Sequence, residues 1–149
     1  AGRRRQRLEG RPDHARPRGE QPIIATETLA DPHVIKHEGR YYLYGTAGVS
    51  DHYSVFCSDD GSRWEKGPVV FERDTELLWA PNVFHDPVSG KFYLYYSQDF
   101  SIGVAESSSP LGPFKDMGLL VEDAIDAFVY FEDGCYFLYY ATAGEGFRS

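Results

Sequence analysis

Three segments of the chain can be laid over one another, and this repetition limits the fold more than any other feature. DPHVIKHEGRYYLYGTA begins at Asp31, APNVFHDPVSGKFYLYYSQ at Ala80 and DAFVYFEDGCYFLYYATA at Asp126, with start-to-start spacings of 49 and 46 residues. Each has a short apolar strand (His33 to Ile35, Asn82 to Phe84, Phe128 to Phe131), a polar turn with Gly39, Gly90 or Gly134, and an aromatic strand centred on Leu43, Leu94 or Leu138. Further strand-like material follows the first two: Tyr53 to Ser58 and Val69 to Phe71, then Ile102 to Glu106 and Leu119 to Val121. Four antiparallel strands repeating at this period are the pattern of a β-propeller blade, whose repeat is roughly 40 to 50 residues. A β-sandwich also has short strands with frequent turns, but nothing in it requires a four-strand unit to recur.

The reading is therefore all-β: blade one at about 31–71, blade two at about 80–121 and the first half of blade three at about 126–149. Propellers close with roughly four to eight blades. The chain accordingly reads as the N-terminal part of a longer protein, with about two and a half blades of a ring present, whose open blade face invites self-association. Eleven Tyr, ten Phe and two Trp against one Met suit strands and flat stacking surfaces better than a helical bundle.

Charge divides the chain. Residues 1 to 20 hold seven Arg against Glu9, Asp13 and Glu20, so the formal net charge of −8 leaves −12 for the remainder. An acidic body speaks against a nucleic-acid partner, and apolar runs of only a few residues speak against a membrane span. Residues 1–21 are rich in Arg and Pro and read as a disordered tail, with 22–149 as the folded part. No apolar stretch follows the basic start, so no signal peptide is legible, and secreted and cytoplasmic locations both stay open. Cys57 and Cys135 lack metal-ligand or CxxC spacing and read as small buried hydrophobes within strands.

In a propeller the first strand of each blade lines the axial channel, so Asp31, Ala80 and Asp126 should converge on one pocket. Two carboxylates drawn from distant parts of the chain suit general acid and base chemistry, because each shifts the other's ionisation. His33 and Asn82 lie two residues further along their strands. Period-2 alternation turns them to the same side, where they could contact ligand hydroxyls. His37, Glu38, His85 and Asp86 fall at hairpin turns and read as solvated, while Trp64 reads as a packing residue of an outer strand.

The strings ADPHVI with GRYYLYGTA, LWAPNVF with GKFYLYYS, IGVAESSSPLGPF and AIDAFVYFEDG resemble glycoside hydrolase family 43, five-bladed propellers that cleave arabinan, xylan and related glycans. The resemblance runs from about residue 22 to the end and implies an inverting glycosidase. On it, Asp31 is the general base that activates water, and Asp126 raises the pKa of the general acid and orients it. Trp79, in the WAP motif, lies near the sugar pocket, where an aromatic face can stack on a sugar ring. Ala127 follows Asp126 where the family often has Pro. The general acid, a Glu at the start of blade four, falls beyond Ser149, so the chain alone is expected to be inactive. Glu145 belongs to a loop and is not assigned that role. No cofactor is required; the family allows a calcium near the axis, although no oxygen-ligand cluster in the sequence demands one. Two other readings are a non-catalytic carbohydrate-binding propeller and a retaining five-bladed glycosidase with Asp31 as nucleophile.

Overall fold

A computed structural model describes residues 28–48 and 51–142. The tail at 1–21 and Glu145 lie outside the described residues. Ten strands follow in order: β1 (Leu29–His37), β2 (Arg40–Ala47), β3 (His52–Ser58), β4 (Glu65–Glu72), β5 (Leu78–His85), β6 (Phe92–Gln98), β7 (Ser101–Ser107), β8 (Lys115–Glu122), β9 (Ala124–Glu132) and β10 (Cys135–Thr142). They form two four-stranded antiparallel sheets, β1-β2-β3-β4 and β5-β6-β7-β8, and the hairpin β9-β10. These are two complete blades and the first half of a third, as the repeat predicts.

Blade-to-blade packing follows from alternation along the aromatic strands. In β6, Phe92, Leu94 and Tyr96 turn toward blade one and join a core with Tyr44, Tyr53, Val55, Val70 and Phe71. Tyr95 turns the other way and packs with Ile102, Ala124, Ala127 and Leu138 between blades two and three. Blade two is thus covered on both faces. Blade three is not: Phe128, Tyr130, Tyr136, Phe137, Tyr139 and Tyr140 stand 44% to 58% exposed.

Several polar groups tie the blades. The Tyr44 hydroxyl donates to the Pro110 carbonyl at 2.6 Å, and Tyr53 donates to the Trp79 carbonyl at 2.7 Å. Tyr96 donates to Asp116 at 2.6 Å, and Arg73 pairs with the same carboxylate while its Nε donates to Gln98 at 2.8 Å. Gly103 is needed beneath Tyr96, since a Cβ there would lie 2.2 Å from the ring.

Some expectations change. Cys57 is buried but Cys135 is exposed, because among the described residues β10 pairs with β9 alone. Asp86 is buried rather than solvated: it accepts from the Val88 and Ser89 amides and from the Tyr136 hydroxyl at 2.7 Å. The Ser89 hydroxyl also donates to it, and this bond foremost, with the others, holds the Asp86 carboxyl well below the usual carboxylate range. His37 and His85 end β1 and β5 and pack on Phe92, with ring centroids 4.9 and 4.5 Å away. Trp64 is half-buried just before β4, and its indole N–H closes the preceding turn on the Gly61 carbonyl at 3.2 Å.

Candidate active site

Each first strand carries the same irregularity. Ala30 pairs with Thr46 and His33 with Tyr44, so Asp31 and Pro32 together oppose Gly45. Ala80 and Pro81 likewise oppose Tyr96, and Asp126 and Ala127 oppose Tyr140. These are β-bulges with the first residue left-handed: φ is 49° at Asp31, 44° at Ala80 and 58° at Asp126. Asp tolerates that region better than most residues, whereas Ala has no polar side chain to compensate. The sequence places these three positions ahead of their strands; they lie two residues inside, because pairing resumes beyond the bulge. Ala127 fills the bulge position that Pro32 and Pro81 occupy in the other blades, so the departure from Pro costs no change of geometry. A bulge of this kind changes the direction of the side chain it carries.

Asp31 and Asp126 are both exposed at this end of the blades. Desolvation, then the charge of Asp31, push the Asp126 carboxyl above its ordinary range. The charge of Asp31 thus reaches a carboxyl group 95 positions away in sequence. A raised carboxyl pKa means that ionisation opposes folding: the cost is absent below the unfolded-state pKa, sets in as pH rises through it, and is complete above the folded-state value. Asp126→Asn, which keeps the left-handed backbone, is therefore expected to raise the melting temperature at pH 7 but not at pH 3. Thermal unfolding at the two pH values checks this; an equal shift at both would mean that the carboxylate charge is not the cause.

Backbone and hydroxyl groups hold the bulges. The Ala80 amide donates to Thr46 Oγ1 at 2.8 Å, Thr46 donates to Asp31 Oδ2 at 2.9 Å, and the Asp126 amide donates to Ser97 Oγ at 3.0 Å. One layer below, His33 Nε2 donates to the Val83 carbonyl at 2.9 Å. A carbonyl only accepts, so in the neutral ring Nδ1 is the acceptor, and Asn82 Nδ2 donates to it at 3.2 Å. Burial pulls the His33 pKa down, which keeps the ring neutral. Asn82 is itself buried and its Oδ1 accepts the Val129 amide at 3.3 Å. His33 and Asn82 thus link three blades beneath the two carboxylates.

Trp79 is half-buried next to the blade-two bulge and meets Phe100 edge-on, with centroids 5.5 Å apart. Sequence reasoning missed Phe100. It occupies, with Asp99, a two-residue turn joining β6 and β7 in which φ is 49° and 62°. Such a turn favours Asn-Gly or Asp-Gly. A bulky ring where glycine is expected was the available signal, since rule-breaking without a local gain marks functional positions. Among the described residues no three of His, Cys, Asp and Glu come together as a metal-binding group.

Repeated four-stranded blades whose first strands carry the same bulge define part of a β-propeller. The model of Glycosyl hydrolases family 43 matches residues 20–148, and the chain belongs to that family of five-bladed propeller enzymes. It is 30% identical over 141 residues to an extracellular endo-alpha-(1->5)-L-arabinanase of Thermotoga petrophila, covering 77% of this chain and 28% of that protein. To a xylosidase/arabinosidase of Bacteroides ovatus it is 28% identical, covering 83% and 46%. Among solved structures, a thermostable family-43 glycoside hydrolase superposes with a TM-score of 0.71 at 32% identity, over 81% of this chain and 44% of that one. An endo-1,4-beta-xylanase from Bacteroides thetaiotaomicron gives 0.72 at 31%, over 80% and 44%. The chain thus spans less than half the length of each of these relatives.

Proposed function

We propose that the whole protein is an inverting glycoside hydrolase acting on arabinan- or xylan-type glycans, with Asp31 as general base. The observation that carries this reading is the equivalent placement of Asp31 and Asp126, each the left-handed first residue of a bulge in the first strand of its blade. A pure binding module needs no such pair. In the proposed step, a water oxygen bonds to the anomeric carbon as the glycosidic bond breaks. Asp31 takes the water's proton, and a general acid on a later blade protonates the leaving oxygen. The two carboxyl groups of such a pair stand about 6.5 to 9.5 Å apart to admit the water. Asp126 keeps the acid protonated, because a fixed negative charge nearby disfavours its ionisation.

Trp79 and Phe100 form an aromatic wall against which a sugar ring can stack. His33 and Asn82, with their polar atoms committed between blades, serve as the pocket floor and hold its shape; this is the role we assign in place of direct hydroxyl contact. The exposed aromatic face of β9 and β10 is the surface through which this 149-residue chain would self-associate.

The test is sugar release from linear arabinan and from xylan by the polypeptide carrying all five blades, alongside glycan binding measured by calorimetry. Release of reducing sugar from at least one substrate is expected. Binding without release would favour the non-catalytic carbohydrate-binding propeller.

A further inference from the structure

We propose that Thr46 is a positioning residue for Asp31, an inference that rests on reading Asp31 as the general base. Thr46 stands in β2 opposite Ala30, next to the bulge that carries Asp31. Its hydroxyl makes two hydrogen bonds whose polarity is fixed by chemistry. A peptide N–H can only donate, so at 2.8 Å from the Ala80 amide Oγ1 is the acceptor. Its single proton then goes to Asp31 Oδ2 at 2.9 Å, an oxygen that accepts in the ionised state. The chain of donation runs one way, from the blade-two backbone through Thr46 to the carboxylate of blade one. Charge-assisted bonds of this kind are the stronger ones. Holding Oδ2 fixes the rotation of the carboxylate and leaves Oδ1 to take the proton from water.

The repeat supplies an internal comparison. At the same register, opposite the residue before the bulge, blade two carries Ser97 and blade three Ala141. Ser97 accepts the Asp126 amide at 3.0 Å, the counterpart of the bond from Ala80 to Thr46. β10 forms with Ala141 in place of a hydroxyl. A hydroxyl at this register is therefore not needed to build the strand. The bond from Thr46 to the side chain of Asp31 belongs to the blade that carries the base. The position of the base consequently depends on how blade two is docked, since the same hydroxyl answers to Ala80.

The experiment compares Thr46→Val, Thr46→Ser, Asp31→Asn and the double variant Asp31→Asn/Thr46→Val in the polypeptide carrying all five blades, with kcat, KM and melting temperature measured on an aryl arabinoside. Thr46→Val should lower kcat about tenfold or more, as displacement of a catalytic group does, with KM held within about twofold. Thr46→Ser should restore kcat, because it returns both the donor and the acceptor. In the Asp31→Asn background Thr46→Val should cost nothing further, since groups acting through one another are not additive.

A loss shared by KM, or the same loss repeated in the Asp31→Asn background, would assign Thr46 to blade docking alone and overturn the proposal. Unchanged kcat would do the same. If Asp31→Asn itself costs only a few-fold, the base reading fails and takes this inference with it. That outcome is distinct from an inactive Asp31→Asn with an unaffected Thr46→Val. Should Thr46→Val fail to fold, Thr46→Ala, the residue blade three carries at this register, takes its place.

Discussion

Replacing Asp31 with Asn is expected to lower kcat/KM by about 10²- to 10⁴-fold in the polypeptide carrying all five blades, the usual worth of general acid or base help. The substitution is chosen for its backbone. Asp31 sits at φ 49° in a bulge, and Asn is among the few residues that enter the left-handed region readily. The Thr46 hydroxyl can still donate to the amide oxygen. What disappears is the proton acceptor, so the loss should fall on kcat with the fold intact. Turnover of an aryl arabinoside or xyloside, with the melting temperature as a control, measures it. A loss of a few-fold would take Asp31 out of the role.

Residues 22–149 on their own are expected to release no measurable sugar from arabinan or xylan under conditions where the five-bladed polypeptide does. The proposed base and its modulator lie in this stretch, whereas the proposed acid belongs to a later blade. Lack of leaving-group protonation alone costs about 10²- to 10⁴-fold. An unwalled pocket costs more, because water and sugar are held by rigid neighbours. The six aromatic side chains of blade three that stand 44% to 58% exposed should also draw copies together. Sugar release and sedimentation, compared between the two polypeptides, check both points. A monomeric short form with turnover comparable to the five-bladed form would refute them.

The blades were legible because their signal is repetition. A polar turn with glycine and an aromatic strand centred on leucine recur in all three segments at spacings of 49 and 46 residues, and β1 to β10 follow them. The fourth strand was read short: Val69 to Phe71 is only the inner end of β4 (Glu65–Glu72), whose outer end is polar because it faces solvent at the rim. Charged rim residues carry no alternation to read.

The bulges were not legible. Period-2 reasoning assumes one residue opposite one, and two residues facing one leave no trace in composition. Position alone could therefore align Asp31, Ala80 and Asp126 without revealing that all three are left-handed. The same limit hid the links of His33 and Asn82. Alternation turned them to the pocket side, but only the packed blades show their polar atoms spent on Val83, on each other and on Val129. Phe100 is not legible in the sequence because its contact with Trp79 depends on a hairpin geometry that sequence spacing does not supply. Asp86, read as solvated, is buried because Tyr136 of the next blade covers it, a contact across 50 positions.

The most direct test of the account is the configuration of the sugar at the instant of release. Proton NMR recorded within minutes of adding the five-bladed polypeptide to an aryl arabinofuranoside or xyloside, before the anomers equilibrate, reads it without reference to any variant. Attack by a water that Asp31 deprotonates reaches the face opposite the leaving group, so the first product should carry the inverted configuration. A product of retained configuration would contradict the account, because it requires a covalent glycosyl intermediate and would make Asp31 a nucleophile rather than a base.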